Sequence, residues 1–222
     1  MTINLLTGIG HTLSLTIGYA LVGGLIKYID QAYDIDIFNK KLATLLAIPT
    51  AILMGLLMAF NDSSATIFFA IVLGVALTKK IDNLAFQIGL FFLIMVPIFF
   101  GDYVKVQWLP FALLLMAGLA DEYTSDWSDE KIKKRVYGEA LGKKTQTQTQ
   151  QKILETIFQH RIIMKLVVLT LVIARIFQPI YIIAFLAFDL SYKAVEIYSI
   201  QLKKYSINRQ LKPNHKTAKT AV

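Results

Sequence analysis

Carboxylates recur where several apolar stretches of this chain end, next to lysines or to further acids. The acidic residues concerned are Asp30, Asp34, Asp82, Asp121 and Glu122. Asp30 and Asp34 are four residues apart, so a helix through them places both carboxylates on one face. Mg²⁺ usually takes one or two protein carboxylates and leaves its other positions to water and phosphate oxygens. The five residues are therefore predicted metal ligands, and the four aspartates are candidate catalytic groups.

Three lysines accompany these carboxylates and suit a phosphate site: Lys27, Lys79 and Lys80. Ammonium groups form strong hydrogen bonds to phosphate oxygens because the two partners carry opposite charges. The two sets together predict a membrane-embedded enzyme that acts on a lipid phosphate or a polyprenyl phosphate, with Mg²⁺ as its cofactor. The alternative for each residue is a charge that only marks a helix end and pairs with a neighbouring lysine.

A second candidate set lies in the last apolar stretch and consists of Asp189, Lys193 and Glu196, with His11 in the first stretch as an assisting residue. Ionisable groups inside a membrane are costly, so they often mark an ion or proton pathway. This set predicts a transporter or channel for an ion, a proton or a small solute, with His11 as a proton relay. Asp189 and Lys193 are also spaced to form an ion pair within one helix, which needs no function.

A third hypothesis is that the protein is a membrane scaffold without a catalytic or transport site. The connection at residues 121–161 and the tail at residues 206–222 are rich in lysine and arginine. A non-catalytic membrane scaffold would use these basic segments to recruit a soluble partner. Its function would then depend on the tail and not on any single carboxylate.

The elements that must position these residues are membrane-spanning helices. The chain has 222 residues, of which 55% are hydrophobic and 17% are charged. Soluble domains average about 25% charged residues. The apolar stretches are residues 5–29, 42–60, 64–78, 84–100, 106–120, 162–177 and 180–200. The sequence therefore predicts an all-α, polytopic integral membrane bundle of about seven transmembrane helices.

The last two spans are separated at Gln178-Pro179. Residues 162–200 carry few charges, and one helix of that length would measure about 60 Å, twice the thickness of the hydrocarbon core. Proline lacks a backbone donor and disfavours helix in the residue before it, so the turn is expected there. Six spans, with this stretch as one kinked helix, is the alternative.

Positive charge fixes the expected orientation. All but two of the 23 lysines and arginines, Lys105 and Arg175, fall in alternate connections or in the tail. Such residues stay on the cytoplasmic side. We therefore expect the N-terminus outside, the C-terminus inside and the recurring aspartates together at the cytoplasmic face of the plasma membrane.

Residues 1–205 are expected to form one transmembrane domain that includes the cytoplasmic loop 121–161, followed by a disordered basic tail at 206–222. The hairpin of spans two and three resembles that of spans four and five. Each has a mid-helix proline, Pro49 and Pro97, and an aspartate at its turn, Asp62 and Asp102. This similarity predicts a fold built from repeated helical hairpins.

Several function classes lack their signatures. The chain has no cysteine, which excludes disulfides, thiolate catalysis and cysteine-based metal sites. The net charge of +8 lies beside apolar spans, so anionic membrane lipids are the expected partners and nucleic acid is not. The sequence leaves a homo-oligomer open.

Overall fold

The computed structural model describes residues 2–79, 81–100, 104–140 and 162–211. Within these ranges the chain is all-helical, with seven α-helices and no strand. The helices are α1 (Thr2–Asp34), α2 (Lys40–Phe60), α3 (Asp62–Leu77), α4 (Leu84–Phe100), α5 (Trp108–Ala140), α6 (Ile162–Ile173) and α7 (Ile180–Leu211). The all-α prediction is confirmed for this part of the chain.

Successive helices alternate in direction, so the bundle has two distinct ends. The Asp34 end is where α1 and α3 finish and where α2, α4 and α6 begin, and the Phe60 end is the other. The main packing contacts run α1–α2–α3–α5–α6–α7 and back to α1, which closes a ring, and α4 packs against α2. This topology brings Asp30, Asp82 and Asp121 to the same end although they are far apart in sequence.

Two stretches are long and apolar enough to cross a membrane, Gly10–Asp34 within α1 and the whole of α2. The other apolar helices that the structure describes, α3, α4 and α6, are shorter. The chain turns at residues 174–179, between α6 and α7. The turn predicted at Gln178-Pro179 is thus present, although α6 ends at Ile173, four residues before the expected end of that span at residue 177.

Two helices continue past the boundaries expected from the sequence. The connection expected to begin at Asp121 starts instead as helix, because α5 continues without a break to Ala140. No proline and only one glycine, Gly138, lies between Asp121 and Ala140, so nothing in the sequence ends the helix. The tail expected to be disordered from residue 206 remains helical in α7 to Leu211, just before Pro213.

Close packing of α1 against α7 closes the ring of helices. A Cβ atom at Gly23 would collide with the carbonyl oxygen of Phe188, so only glycine allows α1 and α7 to approach this closely. Ser191 on α7 donates a hydrogen bond to the carbonyl oxygen of Ala20 at 2.6 Å. Small residues at helix interfaces are the usual means by which apolar helices pack backbone to backbone.

A buried polar contact joins α1 to α3 nearer the Phe60 end. The hydroxyl of Tyr19 donates a hydrogen bond to Ser64 Oγ at 3.0 Å, and neither residue is exposed. The ring of Tyr19 also packs on Phe68, with 4.5 Å between the ring centroids. A tyrosine inside an apolar core needs a partner for its hydroxyl, and Ser64 supplies it.

Candidate functional site

A cavity of about 590 Å³ lies between the helices toward the Asp34 end. Its inner wall is apolar, with side chains from α1, α2, α3, α4 and α7. They include Ile26, Met54, Ile71, Val72, Leu90, Leu93, Phe185 and Phe188. Pockets of this size and character are typical of sites that enclose a small ligand.

The cavity changes character toward the Asp34 end, where charged side chains line it. The carboxylates are Asp30, Asp34, Asp82, Glu122, Asp189 and Glu196, and the lysines are Lys27, Lys79 and Lys193. Asp34, Lys79 and Asp82 are exposed, so this part of the cavity reaches the surface. The lining thus joins an apolar interior to a charged mouth, with carboxylates outnumbering lysines among the described residues.

One wall of the mouth is an alternating chain of charges between α1 and α7. Lys27 Nζ lies 2.7 Å from Asp30 Oδ2 and 3.8 Å from Glu196 Oε1. The other oxygen of Glu196, Oε2, lies 2.6 Å from Lys193 Nζ. The ammonium of Lys27 also lies 4.9 Å from the centroid of the Tyr192 ring, a cation–π distance. Lys27 is only 7% exposed, so these groups replace its water.

The two charged residues that the sequence pairs within α7 have other partners. Asp189 Oδ2 lies 2.7 Å from Lys165 Nζ on α6, whereas Lys193 pairs with Glu196. The expected Asp189–Lys193 pair is therefore absent among the described contacts, because α6 brings a second lysine alongside Asp189. Spacing within one helix could not reveal a partner that depends on how two helices pack.

Asp121 joins α5 to the start of α6. Its two carboxylate oxygens accept hydrogen bonds from the backbone N–H groups of Ile163, at 2.9 Å, and Met164, at 2.7 Å. These are donors in the first turn of α6, which have no partner within their own helix. The side chain is 2% exposed and does not line the cavity. Its neighbour Glu122 does line it.

Lys79 occupies an unusual backbone conformation at the mouth. It follows the end of α3 and has a φ of 57°, in the left-handed region. Glycine is the usual residue at this position after a helix because it has no Cβ to clash. A lysine there is strained, and its side chain lines the cavity.

One predicted site residue that the structure describes, His11, lies away from the cavity. His11 is exposed near the start of α1, away from the charged mouth. Lys80 lies outside the described residues. In the part of the chain that the structure describes, no group of three or more His, Asp and Glu side chains is close enough to hold a metal ion. The carboxylates therefore stand around the mouth and are not gathered at one point.

Two residues of this site were not singled out from the sequence, Tyr192 and Lys165. Tyr192 lies on the same face of α7 as Phe188 and Glu196, four residues to either side, which is a signal that the sequence contains. Lys165 lies in the first turn of an apolar stretch, and its position in the sequence indicates only a basic residue near a helix end. Its partner Asp189 could be found only from the contact of α6 with α7.

Comparison of the chain with protein-family models, curated proteins and solved structures finds no match. The site must therefore be interpreted from its own chemistry.

Proposed function

We propose that this chain is a multi-pass membrane enzyme that binds a lipid phosphate or a polyprenyl phosphate in the central cavity and acts on the phosphate with Mg²⁺. The observation that carries the proposal is the change in the cavity lining, from apolar side chains inside to lysines and carboxylates at the Asp34 end. An amphiphile with an anionic headgroup matches this division, because its chain would contact the apolar wall and its phosphate the charged mouth.

The outer surface supports a membrane location. Every helix exposes large apolar side chains, among them Ile17, Leu45, Phe69, Phe91, Met116, Leu169 and Leu186. Soluble monomers rarely expose contiguous apolar patches larger than a few hundred Å². The 16 residues of α3 measure only about 24 Å, so such a helix would cross with local thinning of the bilayer. We accordingly propose seven spans.

The distribution of lysine and arginine supports an orientation. Nearly all of them belong to the Asp34 end or to segments that lead from it. Under the positive-inside rule this end faces the cytoplasm and the N-terminus lies outside. The charged mouth of the cavity would then sit at the level of the cytoplasmic headgroups, where a lipid phosphate is found.

The balance of charge supports a metal. The described lining contains six carboxylates and three lysines, so an anionic headgroup that entered alone would meet an excess of negative charge. Mg²⁺ removes this conflict because it binds carboxylate and phosphate oxygens together. Asp30, Asp34 and Asp82 are the proposed ligands. They do not form a metal site by themselves in the part of the chain that the structure describes, so phosphate oxygens and water would have to complete the coordination. Lys27 and Lys79 are the proposed phosphate contacts. We leave Asp121 out because its oxygens already accept hydrogen bonds from α6.

The experiment is turnover of lipid phosphates by the purified protein in nanodiscs. Farnesyl diphosphate and dioleoyl phosphatidic acid are supplied with Mg²⁺ or with EDTA, and products are separated by chromatography. We expect Mg²⁺-dependent turnover that is lost in Asp30→Asn, Asp34→Asn and Asp82→Asn. Asp36→Asn is the matched control, since Asp36 is exposed at the same end, pairs with Lys40 and does not line the cavity. Unchanged turnover in all three cavity variants would rule out the proposed site.

The transporter hypothesis remains a separate prediction. The pair that supports it is now Lys165 and Asp189, which lies beside the cavity between α6 and α7. Uptake of protons or solutes into proteoliposomes that is abolished by Asp189→Asn, in the absence of any lipid turnover, would favour it over the enzyme. The scaffold hypothesis rests on basic segments that are largely outside the described residues.

A further inference from the structure

Four lysines border the Asp34 end of the bundle outside the cavity, and we call them the basic rim. Lys40 and Lys41 begin α2, whereas Lys203 and Lys204 lie near the end of α7. All four are exposed, and none of them lines the cavity. The two pairs are far apart in the sequence. They lie at the same end because α7 runs in the same direction as α1 and reaches the connection between α1 and α2.

Lys203 contacts the connection between α1 and α2 directly. Its Nζ donates a hydrogen bond to the carbonyl oxygen of Ile35 at 2.9 Å. Carbonyl groups at the end of a helix lack a partner within it, and a lysine is a favourable donor to them. Ile35 directly follows the apolar stretch Gly10–Asp34. The ammonium group of Lys203 is therefore held at the level where that stretch ends, and does not project far beyond it.

Lys40 is held at the same connection. It forms an ion pair with Asp36, and its Nζ lies 5.6 Å from the centroid of the Tyr33 ring. A hydrogen bond and the positive charge of Lys40, followed by the charge of Lys203, hold the pKa of the Asp36 carboxyl below its ordinary value. Both ammonium groups therefore lie close to one carboxylate. The side chain of Lys40 is 50% exposed, and an ammonium group has three donors, so donors remain for a further anion.

The basic rim carries an excess of positive charge. Asp36 is the carboxylate that the described contacts place beside it. The first turn of α2 contains no acidic residue, and the adjacent Asp34 lines the cavity. A surface of this charge, at the level where an apolar stretch ends, matches the headgroups of anionic phospholipids, which attract lysines next to a membrane. A soluble acidic partner would be better served by lysines that project away from the bilayer.

We propose that Lys40 and Lys203 together bind the headgroup phosphate of an anionic phospholipid at the rim of the bundle, with Lys41 and Lys204 beside them. The phosphate accepts charge-assisted hydrogen bonds from both lysines, and so the lipid joins the end of α7 to the connection between α1 and α2. This inference rests on the membrane location and orientation in the proposed function. It depends neither on the proposed reaction nor on a metal ion.

The test is native mass spectrometry of the full chain in detergent, titrated with phosphatidylglycerol or with phosphatidylcholine of the same acyl chains. We expect the first phosphatidylglycerol to bind about 25-fold more tightly, because each of the two lysines contributes about fivefold. The double variant Lys40→Gln/Lys203→Gln should bind the two lipids almost equally. Lys105→Gln/Arg175→Gln is the matched control, since it removes two exposed positive charges at the Phe60 end and should keep the preference.

The outcomes separate the basic rim from other binding sites. If the wild type shows no preference for phosphatidylglycerol, the inference is wrong, even if the double variant does not fold. If Lys79→Gln in the cavity lining removes the preference and Lys40→Gln/Lys203→Gln does not, the headgroup binds in the cavity mouth and the inference is wrong. Heparin binding that requires Lys40 and Lys203, without any lipid preference, would instead assign the surface to a soluble polyanion.

The inference and the proposed function can also fail independently. Mg²⁺-dependent turnover of lipid phosphates by a protein that does not prefer phosphatidylglycerol would leave the function standing and contradict the basic rim. A preference for phosphatidylglycerol that requires Lys40 and Lys203, in a protein without turnover, would support the basic rim and contradict the function.

Discussion

The carboxylate of Asp121 on α5 accepts a hydrogen bond of 2.7 Å from the backbone N–H of Met164 at the start of α6. The contact joins residues on either side of the stretch 141–161 and fixes where α6 begins relative to α5. From the sequence alone, Asp121 is one of several aspartates at the ends of apolar stretches, whereas in the structure it caps another helix. A side chain that caps a helix from another helix contributes to stability whether or not a metal is present.

Replacing Asp121 should therefore affect stability and not metal binding. We expect Asp121→Ala to lower the free energy of unfolding by about 1–3 kcal/mol, because buried backbone donors of α6 lose their acceptor. Asp121→Asn keeps one carbonyl oxygen and should cost less. Thermal unfolding in detergent, with and without Mg²⁺, measures both.

The Mg²⁺ dependence is the decisive part of that measurement. A metal ligand would make the stability difference grow with Mg²⁺ concentration, since a ligand that binds the folded state stabilises it. For Asp121 the difference should stay constant. Asp82→Asn is the control, because Asp82 is exposed and lines the cavity. If the destabilisation caused by Asp121→Asn increased with Mg²⁺ concentration, Asp121 would be a ligand of the proposed metal site.

The convergence of charge at one end could be inferred from sequence because it depends on coarse properties. Apolar stretches separated by short connections must alternate in direction, so Asp30 and Asp82 had to lie at the same end. The separate roles of Asp121 and Asp189 could not be inferred, because each depends on the rotation and register of α6 against its neighbours. Local spacing pairs Asp189 with Lys193, and only packing brings Lys165 within 2.7 Å of it.

The strained backbone of Lys79 offers a way to separate stability from ligand binding. Lys79→Gly should raise the free energy of unfolding by about 1 kcal/mol, because glycine adopts a φ of 57° without a steric penalty. The same change removes a lysine from the cavity lining and should weaken the binding of a non-hydrolysable farnesyl phosphonate. Thermal unfolding and calorimetry on one preparation give both values.

Arg175 provides a matched control for this prediction. It has a φ of 58° after the end of α6, is exposed, and lies at the Phe60 end away from the cavity. Arg175→Gly should stabilise the protein to a similar degree and leave phosphonate binding unchanged. Equal binding by Lys79→Gly and the wild type would show that the lysine is no phosphate contact.

The Lys165–Asp189 pair should behave as a structural unit. Its side chains are 21% and 34% exposed, so breaking the pair leaves a partly buried charge. We expect Lys165→Met and Asp189→Asn each to destabilise the protein, and the double variant to recover about 1–2 kcal/mol relative to the sum of the two. Thermal unfolding of the four proteins completes the cycle.

Transport measured on the same four proteins distinguishes the alternatives. If the pair is structural, any uptake into proteoliposomes follows stability and returns in the double variant. If Asp189 carries ions or protons, uptake stays lost in both proteins that lack it, however stable they are. Persistent loss in the stable double variant would therefore favour the transporter over the enzyme.

The proposed orientation can be tested directly because the chain contains no cysteine. Single cysteines at Asp36, near the Asp34 end, and at Asp62, at the start of α3, replace exposed residues. In intact cells a membrane-impermeant maleimide should label the cysteine at 62 and reach the cysteine at 36 only after the membrane is opened. Labelling of both positions from outside would contradict the placement of the cavity mouth at the cytoplasmic face.

The approach of α1 to α7 should depend on Gly23 far more than on its neighbour Gly24. A Cβ at Gly23 would collide with the backbone carbonyl of Phe188, whereas at Gly24 the nearest atom would be Ser191 Cβ at 3.7 Å, an ordinary contact. Gly23→Ala should therefore destabilise the protein by about 1–3 kcal/mol. Gly24→Ala should stabilise it by about 0.5–1 kcal/mol, because alanine favours a helix over glycine. Equal stability of the two variants would mean that α1 and α7 are not packed as closely as this site requires.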